Sequence, residues 1–360
     1  MSWEEQRGRF PVLEQHAYLN AGTFGPLSRT TLDAMAELRA WEGEKGRAGR
    51  EYFDEMIARR ERVRRLFAAQ IGVASETVAL TDSTTQGVQI VVIGLGLGPD
   101  DEVVTTDAEH FGLTGPLVAS GARLRIAPVR GLAPEAIFDA VRSRTTSRTT
   151  LIALSAVSWL DGTIFPWREL REATGVPVLV DGAQAAGAIE VDASAADFFT
   201  VSGQKWLCGP DATGALHVRD PEALSPRLVG YPSAESYDIA AGSWVPKAEA
   251  ARFDPTFAPS TSLAGLEAAL SDLPEGRFAR ARSLTERCRE LLAAAGHEVA
   301  TPAVQATLVS FRPPGDPVET VQRLYRAGVI LRELPGTGLL RASVGWWNDE
   351  RDLARLVAGL

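Results

Sequence analysis

Short apolar runs of β type alternate with helical patterns through the middle of the chain. The pattern predicts seven strands, at Thr77–Leu80, Glu102–Thr105, Arg123–Ala127, Leu151–Ser155, Val178–Val180, Phe198–Val201 and Ala215–Val218. It predicts helices between them, at Thr85–Leu95, Phe111–Ser120, Pro134–Ser143 and Trp167–Thr174. Buried strands that alternate with helices are typical of an α/β domain with a mostly parallel sheet. Ligand sites in such sheets lie in the loops that follow the carboxyl ends of the strands.

The pattern changes near Ser243–Ser260, where three prolines and no clear period indicate a boundary. After it we predict helices and short strands, at Leu263–Leu273, Arg277–Ala295, Pro317–Ala327, Thr307–Phe311 and Leu339–Val344. We therefore expect a large domain over 21–245, a small α+β domain over 246–360, and a segment 1–20 that packs on the small domain. The charged stretch Gly43–Phe53 reads either as a flexible loop or as a partner-contact segment.

Composition excludes several classes of protein. A chain of 360 residues with net charge −9 and pI near 5.2 is not expected to bind nucleic acid or an acidic membrane surface. The longest apolar run is too short to span a bilayer, and the first ten residues lack the apolar core of a signal peptide. Two cysteines make no disulfide framework and four scattered histidines have no metal-ligand spacing, so we expect a cytoplasmic protein without a bound metal.

The sequence GLGLG at Gly94–Gly98 resembles half of a dinucleotide-binding fingerprint. That fingerprint follows a strand and opens a helix, whereas these glycines follow a predicted helix and precede a strand. We therefore interpret them as a helix C-cap and turn. A nicotinamide-dependent oxidoreductase is correspondingly disfavoured.

Two strand ends carry groups suited to an anion and to an aromatic ring. Ser83, Thr84 and Thr85 follow the first strand and begin a helix, where hydroxyls and free amides form an anion site for a phosphate. His110 follows the second strand and could stack on a ring. Each feature alone has an ordinary structural explanation, a helix N-cap for the hydroxyls and a hydrogen-bonding role for the histidine.

Two further strand ends carry a carboxylate and an amine. Asp181 ends a fully apolar run, where a carboxylate is costly unless it is paired or exposed. Lys205, in SGQKW, is one of only three lysines beside 34 arginines. A lysine can lose its proton and condense with a carbonyl, which a guanidinium cannot do. The alternatives are a loop aspartate that caps a helix and a codon preference for arginine.

Taken together, the four strand ends describe one ligand, pyridoxal 5′-phosphate. The phosphate needs an anion site, the ring needs a flat neighbour, the ring nitrogen needs a carboxylate, and the aldehyde needs an amine. Lys205 would hold the cofactor covalently and then move the proton at the substrate Cα. Asp181 would keep the ring nitrogen protonated.

The sequence resembles the class V aminotransferase family of fold-type I pyridoxal-phosphate enzymes. The likeness runs from YLNAGTFGPLS at Tyr18–Ser28 to RASVGWWNDERDLARLVAGL at Arg341–Leu360, and VDGAQ and SGQKW are its most specific points. It implies a phosphate site, a ring site and a Schiff-base lysine made by Ser83, Thr84, Thr85, His110, Asp181, Gln184, Ser202 and Lys205. It also implies a homodimer with its active site at the interface, in which Thr261 reaches the partner's phosphate.

The resemblance further implies a substrate site for an amino acid, with Arg341 clamping its carboxylate, Asn20 assisting, and Trp159 as a candidate wall. Phe24, Trp346 and Trp347 are further aromatic candidates, although each could equally be core. Only eight residues separate Arg332 from Arg341 and none is cysteine, so a persulfide-type cysteine desulfurase is disfavoured. Gln204 stands where relatives often have histidine. We therefore expect β-elimination by a C–S lyase on a cysteine conjugate, with transamination, epimerisation and a non-catalytic binding role as alternatives.

Overall fold

The computed structural model describes residues 1–303 and 305–360, and it is an α/β fold with a mostly parallel central sheet. Its helices are α1 Trp3–Gly8, α2 Arg29–Lys45, α3 Gly49–Ile71, α4 Thr84–Leu95, α5 Phe111–Ala119, α6 Pro134–Arg142, α7 Trp167–Thr174, α8 Ser260–Ser271, α9 Arg277–Ala294, α10 Pro317–Arg326 and α11 Glu350–Gly359. Its strands are β1 Ala17–Tyr18, β2 Val78–Thr81, β3 Glu102–Thr106, β4 Arg123–Ala127, β5 Thr149–Ser155, β6 Val178–Asp181, β7 Phe198–Ser202, β8 Gly214–Val218, β9 Ala234–Asp238, β10 Ser243–Pro246, β11 Leu308–Phe311, β12 Val329–Ile330, β13 Arg332–Leu334 and β14 Leu339–Ser343.

The central sheet has seven strands in the order β2-β8-β7-β6-β5-β3-β4. Strand β8 is antiparallel to both of its neighbours, so the other six strands share one direction. The sheet is buried on both faces because alternate residues along each strand point to opposite sides. Val180 and Phe199 pack into the core on one face, and Leu179 and Phe198 pack into the core on the other. The predicted fold class and the seven predicted strands are confirmed.

The register of the sheet brings the predicted site residues to one edge. Ser155, which ends β5, lies opposite Asp181, which ends β6, and Asp181 lies opposite Thr200 in β7. Since these strands are parallel, their carboxyl ends and the loops that follow converge at that edge. The predicted helix C-cap at GLGLG is also confirmed, because α4 ends at Leu95 and Gly96 adopts φ +66°.

The N-terminal and C-terminal segments pack together. Strand β1 pairs in parallel with β12, and Arg7 forms an ion pair of 2.6 Å with Asp352 in α11. The antiparallel sheet β11-β14-β13 lies in the same C-terminal part. These contacts support the expected packing of segment 1–20 on residues 246–360. Helix α8 contributes Leu263 and Leu266 to the core of the central sheet, so we propose a domain boundary after α8 rather than at 245/246.

The interpretation of Gly43–Phe53 as a loop is wrong over most of its length. Helix α2 continues to Lys45, α3 begins at Gly49, and only three residues connect them. Gly46 caps α2 at φ +76°, a conformation that favours glycine, so the glycines mark a tight turn between two helices. Within the described residues, no helix is both long enough and apolar enough to cross a membrane.

Candidate active site

Nine of the twelve predicted site residues line one cavity of about 150 Å³ at the carboxyl edge of the sheet. They are Ser83, Thr84, Thr85, His110, Trp159, Asp181, Gln184, Ser202 and Lys205. The other three, Asn20, Thr261 and Arg341, are not among the lining residues. Ser155, Val157, Ala183 and Gln204 complete the lining.

The N-terminus of α4 forms part of the cavity lining. Ser83 caps this helix, with its hydroxyl accepting from the Gln86 amide at 3.1 Å and donating to Asp82 at 2.6 Å. Thr84 and Thr85 follow in the first turn, where backbone N–H groups have no partner within the helix. Gly112 approaches closely, since a Cβ there would lie 2.6 Å from Thr85 Oγ1. The arrangement offers hydroxyls and amides to an anion.

Asp181 presents a buried carboxylate to the cavity. It is 4% exposed, and its Oδ1 accepts from the Ala183 amide at 2.9 Å and from Thr200 Oγ1 at 3.4 Å. Among the described residues, no donor reaches Oδ2 and no cation is paired with this carboxylate. Because an unpaired buried charge is costly, Asp181 fits a cationic group of a ligand.

Lys205 lies in a tight turn that begins directly after β7. The Gly203 amide donates to Thr213 O at 2.8 Å and the Gly209 amide donates to Gly203 O at 2.9 Å, which closes the turn. Gly25 packs against this turn so closely that a Cβ there would collide with Lys205 O. Lys205 keeps some accessible surface, yet desolvation lowers the pKa of its amine to about 8. Asp181 raises this pKa, while Arg341 and Arg332 lower it further.

His110 and Trp159 form an aromatic side of the cavity. Their rings are 5.2 Å apart at 83°, an edge-to-face contact. His110 caps α5 by accepting from the Gly112 amide at Nδ1, 3.1 Å away. His110 is an exposed residue, yet the pKa of its imidazole is lowered. The main cause is desolvation, and the second is the charge of Lys205. A neutral imidazole is therefore favoured near pH 7.

Gln184 is held at both ends of its amide. Its Oε1 accepts from Trp206 Nε1 and its Nε2 donates to Gly22 O, each at 2.9 Å. An amide nitrogen has two hydrogens, so one donor of Gln184 remains available for a ligand oxygen. Trp206 is buried and fixes this orientation.

Arg341 lies beside the cavity wall with unused donors. It is 1% exposed, and its Nη1 donates to Trp159 O at 2.7 Å. Within the described chain, its Nε and Nη2 have no hydrogen-bond partner. The pKa of Arg341 is lowered to about 9, mainly because the guanidinium is buried. The charge of Arg332, which lies directly opposite on β13, lowers it further. A buried guanidinium with two free donors fits a carboxylate.

The remaining candidates lie elsewhere. The backbone of Asn20 forms a bridge with Ser343, two residues after Arg341. Thr261 lies in the first turn of α8. Trp346 and Trp347 are buried in a cluster with Trp206 and do not line the cavity.

Sequence reasoning missed two charged residues at this site. Glu109 precedes His110, and its carboxylate accepts hydrogen bonds from Thr106 and Ser155. Arg332 on β13 lies directly opposite Arg341 on the neighbouring strand β14. The signal for Glu109 was available, since TTDAEHFG places a second polar residue at the same strand end. Arg332 could not be chosen among 34 arginines without the strand register.

Comparisons with known proteins show the family to which the chain belongs. The family described as aminotransferase class-V matches residues 17–356. Isopenicillin N epimerase of Streptomyces clavuligerus is 29% identical over 402 aligned positions, covering 99% of this chain and 97% of that protein. Cysteine desulfurase of Serratia proteamaculans is 31% identical, covering 60% of this chain and 58% of its own.

Two solved structures resemble this chain over nearly its whole length. The complex of the cystine C–S lyase C-DES with its reaction product cysteine persulfide has a TM-score of 0.90 and 27% identity, covering 97% of this chain and 98% of that one. A C-DES mutant with glycine covalently linked to its pyridoxal-phosphate cofactor superposes equally well, with a TM-score of 0.90. The chain belongs to the class V aminotransferase family. It is a pyridoxal-phosphate-dependent enzyme, as the sequence predicted.

Proposed function

We propose that this enzyme catalyses β-elimination on a cysteine conjugate or disulfide, releasing pyruvate, ammonia and a sulfur-containing fragment. The observation that carries this proposal is the pairing of a buried carboxylate and a partly desolvated lysine across one cavity, with an arginine of unused donors beside it. C-DES, a cystine C–S lyase, resembles this chain over nearly its whole length. Elimination requires a proton-transfer group and a held carboxylate, and it requires no cysteine nucleophile.

The residues that would hold the cofactor are those that line the cavity. Ser83, Thr84 and Thr85 would bind the phosphate, Asp181 the ring nitrogen, and Lys205 the aldehyde carbon. When bound, pyridoxal phosphate supplies an aldehyde that condenses with amines and a ring that accepts electron density. The free Oδ2 of Asp181 and the free amides at the start of α4 fit these two ends of the cofactor.

The chain's own groups then have distinct tasks. Nε and Nη2 of Arg341 would bind the substrate carboxylate and fix the direction of the Cα–H bond. Lys205 Nζ would take the proton from Cα and return one to the departing sulfur. His110 and Trp159 would cover one side of the site and restrict water. Asp181 would hold a proton on the ring nitrogen throughout.

Neither cysteine is placed to act as a sulfur acceptor. Cys208 and Cys288 are both buried, and burial raises the pKa of both thiols, that of Cys288 to about 12. Neither lines the cavity. These positions support elimination over a persulfide-forming mechanism on this chain, although cysteine desulfurases are among its relatives.

Epimerisation is the second candidate, because isopenicillin N epimerase aligns over nearly the whole chain. It requires proton delivery to both faces of the Cα carbon, and His110 is the lining group that could serve the face away from Lys205. Transamination requires the same removal of the Cα proton and, in addition, a keto-acid acceptor.

We also propose a homodimer with the active site at the interface. Thr261 lies away from the cavity of its own chain, which suits a role in a neighbouring subunit. The β9–β10 hairpin exposes apolar side chains, including Ile239 at 84%, that a partner could cover. Sedimentation equilibrium of the purified enzyme should give twice the chain mass of 38.6 kDa.

The function is tested with the purified enzyme loaded with pyridoxal phosphate. L-cystine and S-alkyl cysteines should yield pyruvate and ammonia in equal amounts, and Lys205→Ala should abolish both products. Borohydride reduction should fix the cofactor on the peptide that contains Lys205. Deuterium uptake at Cα with inversion and no pyruvate would support the epimerase, and amination of added keto acids would support the transaminase.

A further inference from the structure

A partly buried carboxyl group beside the site has no role in the reaction described so far. Glu109 lies in the loop between β3 and α5, immediately before His110. Its Oε1 accepts from Thr106 Oγ1 at 2.7 Å, and its Oε2 accepts from the Ser155 amide at 3.0 Å and from Ser155 Oγ at 2.5 Å. One carboxylate thus receives three hydrogen bonds from two strand ends.

These bonds close a gap in the sheet directly beside Asp181. Strands β3 and β5 pair only as far as Val104 and Ile152, so they separate toward their carboxyl ends. Glu109 occupies the opening and accepts the Ser155 amide on the side that β3 no longer reaches. On its other side Ser155 is in register with Asp181, and the Ala156 amide donates to Asp181 O at 2.9 Å.

The electrostatic surroundings of Glu109 are dominated by one charge. Thr106 and Ser155 are neutral, and the charge that acts on Glu109 is that of Asp181 on β6. The pKa of Glu109 is raised to about 7, mainly by desolvation and to a smaller extent by the charge of Asp181. The hydrogen bonds from Ser155 and Thr106 oppose this shift. His110, the next residue, and Lys205 across the cavity are the other titratable groups of this site. Coulombic coupling is mutual, so an ionised Glu109 also strengthens the negative potential at Asp181.

We propose that Glu109 is a positioning residue that holds the end of β5 beside Asp181 and, when ionised, strengthens the interaction of Asp181 with the protonated ring nitrogen of the cofactor. This inference rests on the proposed cofactor site. By linkage, pyridoxal phosphate should bind more tightly when Glu109 is ionised than when it is protonated. The effect should therefore appear as the pH rises through neutrality.

Two variants separate the charge from the contacts. In Glu109→Gln the amide oxygen can accept from Ser155 while the amide nitrogen donates to Thr106, whose hydroxyl can reverse its role. The three contacts remain and the titrating charge is gone. Glu109→Ala removes both. Glu172→Gln, an exposed glutamate on α7, is the matched control.

The test is the dissociation constant of pyridoxal phosphate for the full chain, measured by cofactor absorbance from pH 6 to 8.5. Glu109→Gln should bind about as well as the natural sequence at pH 6 and about tenfold more weakly at pH 8. A ratio that stays constant across this range overturns the charge effect. Glu109→Ala should bind about tenfold more weakly even at pH 6, and equal binding there overturns the positioning role. Failure of the natural sequence to take up the cofactor would instead overturn the proposed function.

Discussion

Substituting alanine for Gly22 tests the assignment of Arg341 without altering any charged group. A Cβ at position 22 would lie 2.7 Å from Arg341 Nη2 and 2.9 Å from Ser343 Oγ, closer than real Cβ contacts allow. The obstructing atom of Arg341 is the end of a flexible side chain, so the guanidinium should move and the backbone should not. Nη2 is one of the two unused donors.

The size of the effect follows from the hydrogen bonds that are lost. A hydrogen bond to a charged group contributes about 1.5–3 kcal/mol, and a bidentate pair makes two such bonds. If displacement of Nη2 removes one of them, substrate affinity should fall by about 10- to 150-fold, since about 1.4 kcal/mol corresponds to a factor of ten. Uptake of pyridoxal phosphate should stay unchanged, because Arg341 does not line the cofactor cavity.

The assay is the concentration of L-cystine that half-saturates pyruvate release, measured beside the thermal unfolding midpoint. Gly43→Ala is the matched control, because Gly43 lies in α2 with no atom within 4 Å of an added Cβ. We expect it to keep its substrate affinity and to gain about 0.5–1 kcal/mol of stability. An unchanged half-saturation in Gly22→Ala, with Arg341 displaced in its crystal structure, would refute Arg341 as the carboxylate clamp.

Three further outcomes are expected. Asp254→Ala should lower the free energy of unfolding by about 3–5 kcal/mol, as measured by urea titration. Asp254 is 1% exposed, and its loss leaves the buried charges of Arg60 and Arg64 without their shared partner. The rate at which the cofactor-free enzyme condenses with pyridoxal phosphate should rise about tenfold from pH 6 to 7 and level off above pH 8, since only the neutral amine of Lys205 reacts. Glu109 has a folded-state pKa of about 7 against an ordinary value of 4.5, so the stability it contributes below pH 4.5 should be lost as the pH rises to 7. This loss is about 3 kcal/mol in urea unfolding of the cofactor-free enzyme, and Glu109→Gln should lack it.

Each of these outcomes has a control in the same chain. Asp54→Ala breaks an exposed i,i+4 pair with Arg50 and should change stability by less than about 0.5 kcal/mol. Lys247→Ala should leave the condensation rate and its pH dependence unchanged. Glu172→Gln should leave the pH dependence of stability intact, and the same slope in Glu109→Gln would contradict the assignment of that slope to Glu109.

The seven strands of the central sheet and the polar residues that follow them could be predicted from the sequence. Apolar runs that are followed by Asp181 or, a few residues on, by Lys205 predict buried parallel strands, and the ends of parallel strands must meet at one edge. The chemistry of the cofactor site was therefore contained in local patterns. Helices α2 and α3 escaped prediction because their glycines at positions 46 and 49 read as a flexible loop, although they form the turn between two helices.

The tertiary structure alone decided which charged groups are desolvated and which donors remain free. Arg341 is one of many arginines in the sequence, and only its burial opposite Arg332 and beside Trp159 leaves two of its donors unused. Glu109 reaches Ser155 across 46 positions of the chain, which no local pattern reports. Desolvation depends on every atom that surrounds a charge. A sequence pattern describes only neighbours along the chain. It could therefore predict which side chains belong to this site, but it could not predict which of them are desolvated or how their pKa values are shifted.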